Sequence, residues 1–280
     1  MNWGSFSFSL MGVINMVLQI CLNELAVDGK DSRLNKITRK VNFSSFGKIK
    51  KEHINASYKF AYKMSFTEYG HHRRKRSGGI DNRKKVQIFC DTFNGKLGEF
   101  AVYQYFRMNG IKLPYPDVNV MGEGQWDSYD FDFEKNNKRK KIGIKTTKKK
   151  GQLLLLETKD WNENGQYMPN LNKGHADYDE ILLVRVDSEI ITDLKKEKLY
   201  FENSISKEKL REIARKSSYE FDVAGVVDTE MLKTTINNKN IIKQGDYLQS
   251  LATKMDAENY YIQAGDMYRV KDYINHLNNI

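Results

Sequence analysis

The amino-acid sequence predicts an α/β fold in which a central mixed β-sheet is flanked by helices, and three observations support this prediction. Residues 92–109 carry apolar side chains at helical spacing and are followed by Gly110, a residue that often ends helices. Residues 129–134 and 141–147 alternate between apolar and polar side chains, as half-buried strands do. Residues 180–186 (EILLVRV) form an apolar run of the length expected for a buried strand. This mixture of elements is typical of helices packed around one sheet.

Further segments extend the pattern along the chain. A turn at Asn136-Asn137 is expected to join the two alternating strands, and residues 152–159 are expected to form the next strand. Residues 206–216 predict a helix whose first residue, a serine, acts as the N-cap. A last strand is expected near 223–227, whereas residues 28–70 show only weak periodicity and predict no definite element.

The stretch from residue 9 to residue 26 predicts an amphipathic helix. Asn15, Gln19 and Asn23 recur every four residues and would form a polar stripe, with apolar residues on the opposite side. The stretch lacks the basic start and the small-residue cleavage site of a signal peptide. It also lacks the lysines that a membrane-lying helix normally carries on its polar face. We therefore expect it to pack on the protein or on a second copy of it, without contact to a membrane.

The cysteine content indicates the compartment. Cys21 and Cys90 are the two cysteines of the 280-residue chain. Two cysteines give neither a disulfide framework nor a paired-cysteine zinc motif, so a reducing cytoplasm is the expected location. The histidines His71, His72 and His175 lack the spacing of a metal motif, which argues against histidine-based metal chemistry.

The charge distribution favours nucleic acid as the partner. The formal net charge is +10, and it is clustered: residues 71–85 hold seven Lys or Arg against one Asp, and residues 138–150 hold eight and no acid. A basic excess alone also fits an anionic membrane or an acidic protein, but clusters favour phosphate contacts. A solvated loop is the alternative for the first run, which contains Gly78-Gly79. The residues expected to contact DNA phosphates are Arg73, Arg74, Lys75, Arg76, Lys148, Lys149 and Lys150.

The two alternating strands can bring a carboxylate and a lysine together. Within 129–134, Asp130 and Asp132 point to one side of the strand, and within 141–147, Gly143 and Lys145 point away from the neighbouring isoleucines. If the strands pair through the turn, Asp130 and Lys145 can share a face. Hydrolysis of a phosphodiester needs such parts. Carboxylates hold Mg²⁺, the metal lowers the pKa of an attacking water, and a lysine steadies the water or the developing charge.

On these residues the chain resembles the PD-(D/E)xK nuclease superfamily, which contains most type II restriction endonucleases. The resemblance covers residues 94–186 and rests on Glu99 in the preceding helix, Asp130 and the IGIKTT run that holds Lys145. The segments LGEFAVYQYF, WDSYDFDF and KIGIKTTKKKGQLLLLETKDW are similar to restriction-type members more than to resolvases. The resemblance implies a restriction-endonuclease-like core, with Asp130 as the principal metal ligand and Lys145 as the catalytic lysine. Glu99 would bind the metal directly or through water.

The expected cofactor is Mg²⁺, with Mn²⁺ as a substitute, and the expected substrate is double-stranded DNA. Because two cuts in a symmetric site need two active centres, a homodimer is expected. We divide the chain into an N-terminal helical and basic region for DNA binding or dimerisation (1–90), a nuclease core (91–217) and a C-terminal extension that packs on the core (218–280). A loop over residues 161–170 carries Asn and Gln amides that could read adenine, although a plain surface loop is equally compatible with them.

One position departs from the family pattern. The family has Asp or Glu two residues before the lysine, and this chain has Gly143. Asp132 could supply the second ligand, or Glu157 could enter from the neighbouring strand. Glu157-Thr158-Lys159 also spells the acidic-x-Lys motif, in which case the lysine would be Lys159. We prefer Lys145, because its strand follows the aspartate strand after a short turn. A third possibility is a protein that binds DNA without cutting it.

Overall fold

The structure is a computed structural model, and it describes residues 21–27, 29–67, 83–119, 129–135 and 137–279. Its strands are β1 Asn23–Val27, β2 Lys30–Lys36, β3 Gly47–Lys48, β4 Phe131–Lys135, β5 Lys138–Lys148, β6 Leu153–Glu157, β7 Glu180–Ser188, β8 Tyr219–Asp228, β9 Ile241–Ile242, β10 Tyr247–Leu248, β11 Ser250–Lys254 and β12 Asn259–Gln263. Its α-helices are α1 Lys51–Phe66, α2 Lys85–Met108, α3 Ile190–Lys196, α4 Lys207–Lys216, α5 Thr229–Asn237 and α6 Val270–Asn279. Short 3₁₀ helices span Thr158–Asp160, Met168–Lys173 and Ala264–Asp266.

A five-stranded mixed sheet with the strand order β3-β8-β7-β5-β4 organises the molecule. Strands β4 and β5 form an antiparallel hairpin in which Phe131 pairs with Ile142. At its turn Asn137 adopts a left-handed conformation (φ 63°), which asparagine tolerates better than most residues. Strand β7 runs parallel to β5 and antiparallel to β8. The predicted mixed α/β architecture with a central sheet is therefore confirmed.

Helix α2 covers one face of this sheet at very short range. Phe131, Ile142 and Leu182 turn this face towards the large apolar core that α1, α2 and α6 complete. Contact is closest at Gly98, where an added Cβ atom would lie 1.8 Å from Oγ1 of Thr146 on β5. Only a glycine allows this approach. The helix that carries Glu99 is thus fixed directly against the strand that carries Lys145.

A second layer covers part of the opposite face of the large sheet. Strands β6, β12 and β9 form a three-stranded antiparallel sheet. Leu154 and Leu156 of β6 pack against Ile181 and Leu183 of β7. A third, four-stranded sheet has the order β1-β2-β10-β11. Ile142 and Ile144 of β5 pack into the core on the α2 side of the large sheet. Because side chains alternate along a strand, Gly143 and Lys145 face the opposite side.

Most of the predicted elements are present, with shifted ends. The predicted helix 92–109 corresponds to α2, which begins earlier and ends at Met108, shortly before Gly110 in a left-handed conformation (φ 80°). The serine expected to cap α4 does so, because Oγ of Ser206 accepts a hydrogen bond of 3.1 Å from the Lys209 N–H. The strands expected at 129–134, 141–147, 180–186 and 223–227 correspond to β4, β5, β7 and β8. Strand β6 ends at Glu157, where a 3₁₀ helix begins.

The prediction of a helix over residues 9–26 is wrong at its C-terminal end. Asn23–Val27 is β1, an antiparallel partner of β2 in which Asn23 pairs with Lys36. Pairing with β2 supplies the backbone hydrogen bonds that a helix would have supplied locally, so the four-residue polar repeat does not decide the structure there. Residues 9–20 of the predicted helix lie outside the described residues.

The three segments into which we divided the sequence (1–90, 91–217 and 218–280) share one hydrophobic core. The boundary expected between residues 90 and 91 falls inside α2. The largest apolar core draws residues from Ile49 to Leu277, including Tyr58 of α1 and Tyr273 of α6. Within the part of the chain that the structure describes, no helix combines the length and the apolar character needed to cross a membrane.

Candidate active site around Asp130 and Lys145

Asp130 stands immediately before β4, where the hairpin brings it beside β5. Its Oδ2 accepts a hydrogen bond of 2.6 Å from the Ile144 N–H. Since Phe131 faces the α2 side of the sheet, alternation places Asp130 on the opposite side, with Gly143 and Lys145. No described residue hydrogen-bonds to the other carboxylate oxygen, Oδ1. Within the described ranges, one oxygen is thus held by the main chain and the other has no hydrogen-bond partner.

Electrostatics set the character of the Asp130 carboxyl. Burial raises its pKa above the ordinary value, whereas the Ile144 N–H and the charges of Lys145 and Lys96 act to lower it. The net effect is a raised pKa, so ionisation of this carboxyl costs the folded protein free energy. A cation bound at Asp130 would offset that cost.

Lys145 lies on the exposed surface of β5 and shares its face with Asp130, as the sequence predicted. It forms no ion pair with any residue of the described ranges, yet its charge acts on Asp130. A lysine ammonium without a protein partner is available to bind an anion such as a phosphate oxygen. The antiparallel pairing of β4 with β5 brings these two residues together.

Lys96 is a residue of the site that the sequence reasoning missed. It is only 4% exposed, and its Nζ donates hydrogen bonds of 2.7 Å to Oε2 of Glu99 and 2.7 Å to the carbonyl oxygen of Asp117. The same ammonium lies 4.4 Å from the ring centroid of Phe60, and its charge acts on Asp130. Lys96 therefore binds Glu99 of α2 while its charge acts on Asp130. A lysine inside the otherwise apolar stripe of α2, three residues before Glu99, was the signal in the sequence.

Asp132 is bound elsewhere on its own hairpin. Arg139 donates hydrogen bonds of 2.7 and 2.6 Å to its two carboxylate oxygens. These bonds hold the pKa of Asp132 below its ordinary value. Asp132 shares a strand face with Asp130, but its carboxylate is already neutralised by Arg139.

Glu157 lies in the second layer and points away from the large sheet. Because Leu154 and Leu156 of β6 face the large sheet, Glu157 shares the other face of the strand with Leu153 and Leu155. Lys159 approaches Glu157 to 3.5 Å, and burial followed by the charge of Asp160 raises the pKa of Glu157. The structure thus assembles Glu157 and Lys159 into a local pair at the end of β6, and it does not bring them to Asp130.

The three basic residues at the end of β5 and just beyond it differ in their interactions. Lys148, Lys149 and Lys150 are all exposed, but Lys149 forms an ion pair of 2.7 Å with Asp187. Arg73, Arg74, Lys75 and Arg76 lie outside the described residues. Lys148 and Lys150 extend a positively charged surface from the strand that holds Lys145.

The amides expected to read bases hydrogen-bond to their own loop. Oδ1 of Asn162 accepts hydrogen bonds of 3.0 and 2.9 Å from the Asn164 and Gln166 N–H groups. The side chain of Asn162 donates a bond of 3.0 Å to Gln166, and Gln166 donates one of 3.1 Å to Asp177. These amides therefore stabilise the turn that leads to Tyr167.

The donor set fits a metal ion that takes only part of its ligands from the protein. Within the described ranges, no three His, Cys, Asp or Glu side chains are grouped so as to hold a metal ion. Asp130 nevertheless offers a half-buried carboxylate with one oxygen that no described residue binds, and Lys96, whose charge acts on Asp130, also binds Glu99. Mg²⁺ in phosphoryl-transfer sites is commonly bound through one or two carboxylates, with waters and substrate phosphates completing its shell. The site is compatible with that mode.

No known protein family, no curated protein and no solved structure matches this chain. Its function is therefore argued from the geometry of the site.

Proposed function

We propose that the protein is a Mg²⁺-dependent endonuclease of restriction type that hydrolyses phosphodiester bonds of double-stranded DNA. The observation that carries the proposal is the β4–β5 hairpin, which puts Asp130 and Lys145 on one face of the sheet. Among the described residues, Oδ1 of Asp130 has no hydrogen-bond partner and Lys145 has no ion-pair partner. The resemblance to the PD-(D/E)xK nuclease superfamily assigns the same two residues to metal binding and catalysis. Sequence specificity, a homodimeric state and action in the cytoplasm belong to this proposal.

Each residue has a part in the proposed reaction. Asp130 binds the cation through its open oxygen while the Ile144 N–H keeps the carboxylate in place. The bound Mg²⁺ would supply Lewis-acid polarisation of the phosphate and a lower pKa for water. Lys145 orients the attacking water or stabilises the negative charge that develops on the phosphate. Lys96 holds Glu99 near the site and offsets the cost of the buried Asp130 charge.

The charge pattern supports DNA as the substrate. Lys148 and Lys150 extend from the strand of Lys145 and can bind the DNA backbone next to the scissile phosphate. The basic run at 71–85 adds seven further cations in the sequence, and we assign Arg73, Arg74, Lys75 and Arg76 to the same backbone contacts. Such contacts position DNA without selecting its sequence.

The test is cleavage of plasmid and phage DNA, methylated and unmethylated, with Mg²⁺ or Mn²⁺. We expect discrete fragments from the wild type that require the metal and disappear in Lys145→Ala. Lys138→Ala is the matched control, because Lys138 is an exposed lysine at the turn end of the same strand. Light scattering of the free protein tests the homodimer. Equal cleavage by Lys145→Ala and Lys138→Ala would remove Lys145 from the reaction.

A DNA-binding protein that does not cut is the second candidate function. Gly143 favours it, since the position two residues before the lysine offers no carboxylate. DNA binding without cleavage in every metal tested would establish this candidate and refute the nuclease.

A further inference from the structure

The space above Gly143 is filled by the ring of Tyr178. A Cβ atom added to Gly143 would lie 3.0 Å from both Cδ1 and Cε1 of Tyr178, and 3.6 Å from Cγ1 of Ile181. The 3.0 Å separations are shorter than ordinary van der Waals contacts, so a side chain at this position would require the ring to move by a few tenths of an ångström. Gly143 and Tyr178 are therefore complementary in shape.

The ring of Tyr178 is packed on several sides, so moving it would cost free energy. Tyr129 meets it edge to face at a centroid distance of 5.2 Å, Trp161 lies at 5.8 Å and Tyr167 at 6.4 Å. Its main chain is fixed as well, because the hydroxyl of Thr229 donates a hydrogen bond of 2.8 Å to the Tyr178 carbonyl oxygen. Interlocked aromatic rings of this kind resist rearrangement.

The same tyrosine borders the proposed metal ligand. The Tyr178 ring lies over Gly143, on the face of the sheet that Asp130 shares, and the charge of Asp130 acts on the Tyr178 hydroxyl. A side chain at position 143 would project from the same face as Asp130 and Lys145. Tyr178 thus occupies the place from which a second strand carboxylate would approach a cation at Asp130.

We propose that Tyr178 excludes a second acidic ligand from position 143, so that a divalent cation at Asp130 takes its remaining ligands from water and from phosphates of the DNA. The role given to the cation at Asp130 rests on the proposed function. The exclusion of an acidic side chain from position 143 rests on packing alone. A phenol is a poor ligand for a hard cation compared with a carboxylate. The protein without DNA should therefore bind Mn²⁺ weakly.

The experiment compares Mn²⁺ binding by titration calorimetry, without DNA, in the wild type, Gly143→Asp, Tyr178→Ala and the double variant Gly143→Asp/Tyr178→Ala. We expect the double variant to bind Mn²⁺ at least about tenfold more tightly than the wild type, because a second carboxylate joins Asp130. Neither single variant should gain affinity. Gly143→Asn/Tyr178→Ala is the matched control, since asparagine has nearly the size of aspartate without its charge.

Thermal unfolding supplies a second readout that needs no metal. Gly143→Asp alone should lower the Tm by overpacking, and Tyr178→Ala should reduce that penalty, so that the two changes in Tm do not add. If Tyr178→Ala does not fold, Tyr178→Leu removes the ring edge over Gly143 while keeping apolar volume. The Tm cycle and the affinity cycle are then measured with that variant.

Three outcomes would overturn the inference. One is an affinity gain by Gly143→Asp alone equal to that of the double variant, and another is a folded double variant with no gain. A gain that survives Asp130→Asn in the double background would place the metal elsewhere. Failure of the wild type to cleave DNA would refute the proposed nuclease without changing these results, because they are measured in the absence of DNA.

Discussion

Two charged sites on one face of the large sheet contrast in how completely their groups are satisfied. Arg185 is fully buried and donates hydrogen bonds of 2.8 and 2.6 Å to the carboxylate oxygens of Asp222. It also donates to the carbonyl oxygens of Val41 (2.7 Å) and Asn42 (3.0 Å). Among the described residues, Asp130 accepts one hydrogen bond, from a main-chain N–H. A saturated ion pair leaves nothing to a ligand, whereas a half-buried carboxylate with an oxygen that no described residue binds can accept one.

Under the proposed function, the difference separates a charge that stabilises the fold from a charge that serves the reaction. Around Arg185 the protein supplies every partner, so the pair fastens residues 41–42 onto β7 and β8. At Asp130 the protein leaves part of the cost of a buried charge uncompensated. Such a cost is tolerated where a ligand later offsets it, and sites of this kind are enriched in function. The predictions below test this contrast in order of expected effect.

Arg185→Met should have the largest effect on stability. Removing the guanidinium leaves Asp222 buried without its partner, which typically costs about 3–5 kcal/mol of free energy of unfolding. Urea denaturation measures the change. Arg185→Met/Asp222→Asn is the control that removes both charges, and it should recover part of the loss. A loss below about 1 kcal/mol in the single variant would mean that the pair is not structural.

Lys96→Met should have a smaller effect on stability and a distinct effect on pH dependence. Glu99 loses the partner of its 2.7 Å ion pair while it remains mostly buried, which should cost about 1–3 kcal/mol. Loss of the Lys96 charge also raises the pKa of Asp130 further, so the acid limb of the cleavage–pH profile should move to higher pH. Lys96→Arg, which retains the charge, should move it less. An unshifted acid limb in Lys96→Met would show that Lys96 does not act on the site.

The basic residues at the end of β5 and just beyond it should show the smallest differences, in the salt dependence of DNA binding. Lys148→Ala and Lys150→Ala should each lower the slope of log K against log salt by about one unit, because each removes a phosphate contact. Lys149→Ala should change it less, since Lys149 is paired with Asp187. Fluorescence anisotropy with duplex DNA at several salt concentrations measures these slopes. An equal or larger change for Lys149→Ala would contradict the assignment.

The elements that the sequence revealed are those in which local pattern and tertiary environment agree. Strand β7 is buried on both faces and reads as one apolar run, and α2 shows apolar residues at helical spacing. The hairpin of β4 and β5 could be predicted because two segments of alternating apolar and polar residues are separated by a turn sequence. The shared face of Asp130 and Lys145 followed directly from that pairing.

Other features depended on contacts that no local pattern encodes. The buried side of α1 consists of His53, Ser57, Tyr58, Ala61 and Ser65, and such small or polar residues hide an amphipathic helix from a hydrophobicity pattern. Helix α6 was not predicted from the sequence, although its apolar residues recur at helical spacing. Strand β1 depends on pairing with β2. The burial of Lys96 and the fit of Tyr178 over Gly143 arise only when distant segments pack together.

The most direct test of the contrast is Asp130→Asn, measured for both stability and cleavage. A carboxyl whose pKa is raised on folding contributes most favourably to stability below its unfolded-state pKa, and that contribution is lost as the pH rises through its folded-state pKa. The amide removes this ionisation, so at neutral pH in EDTA the Tm should stay unchanged or rise. Cleavage of DNA in Mg²⁺ should meanwhile fall by at least about 100-fold. A variant that cuts DNA at the wild-type rate, or one that unfolds as Arg185→Met does, would contradict the assignment of Asp130 as the functional charge.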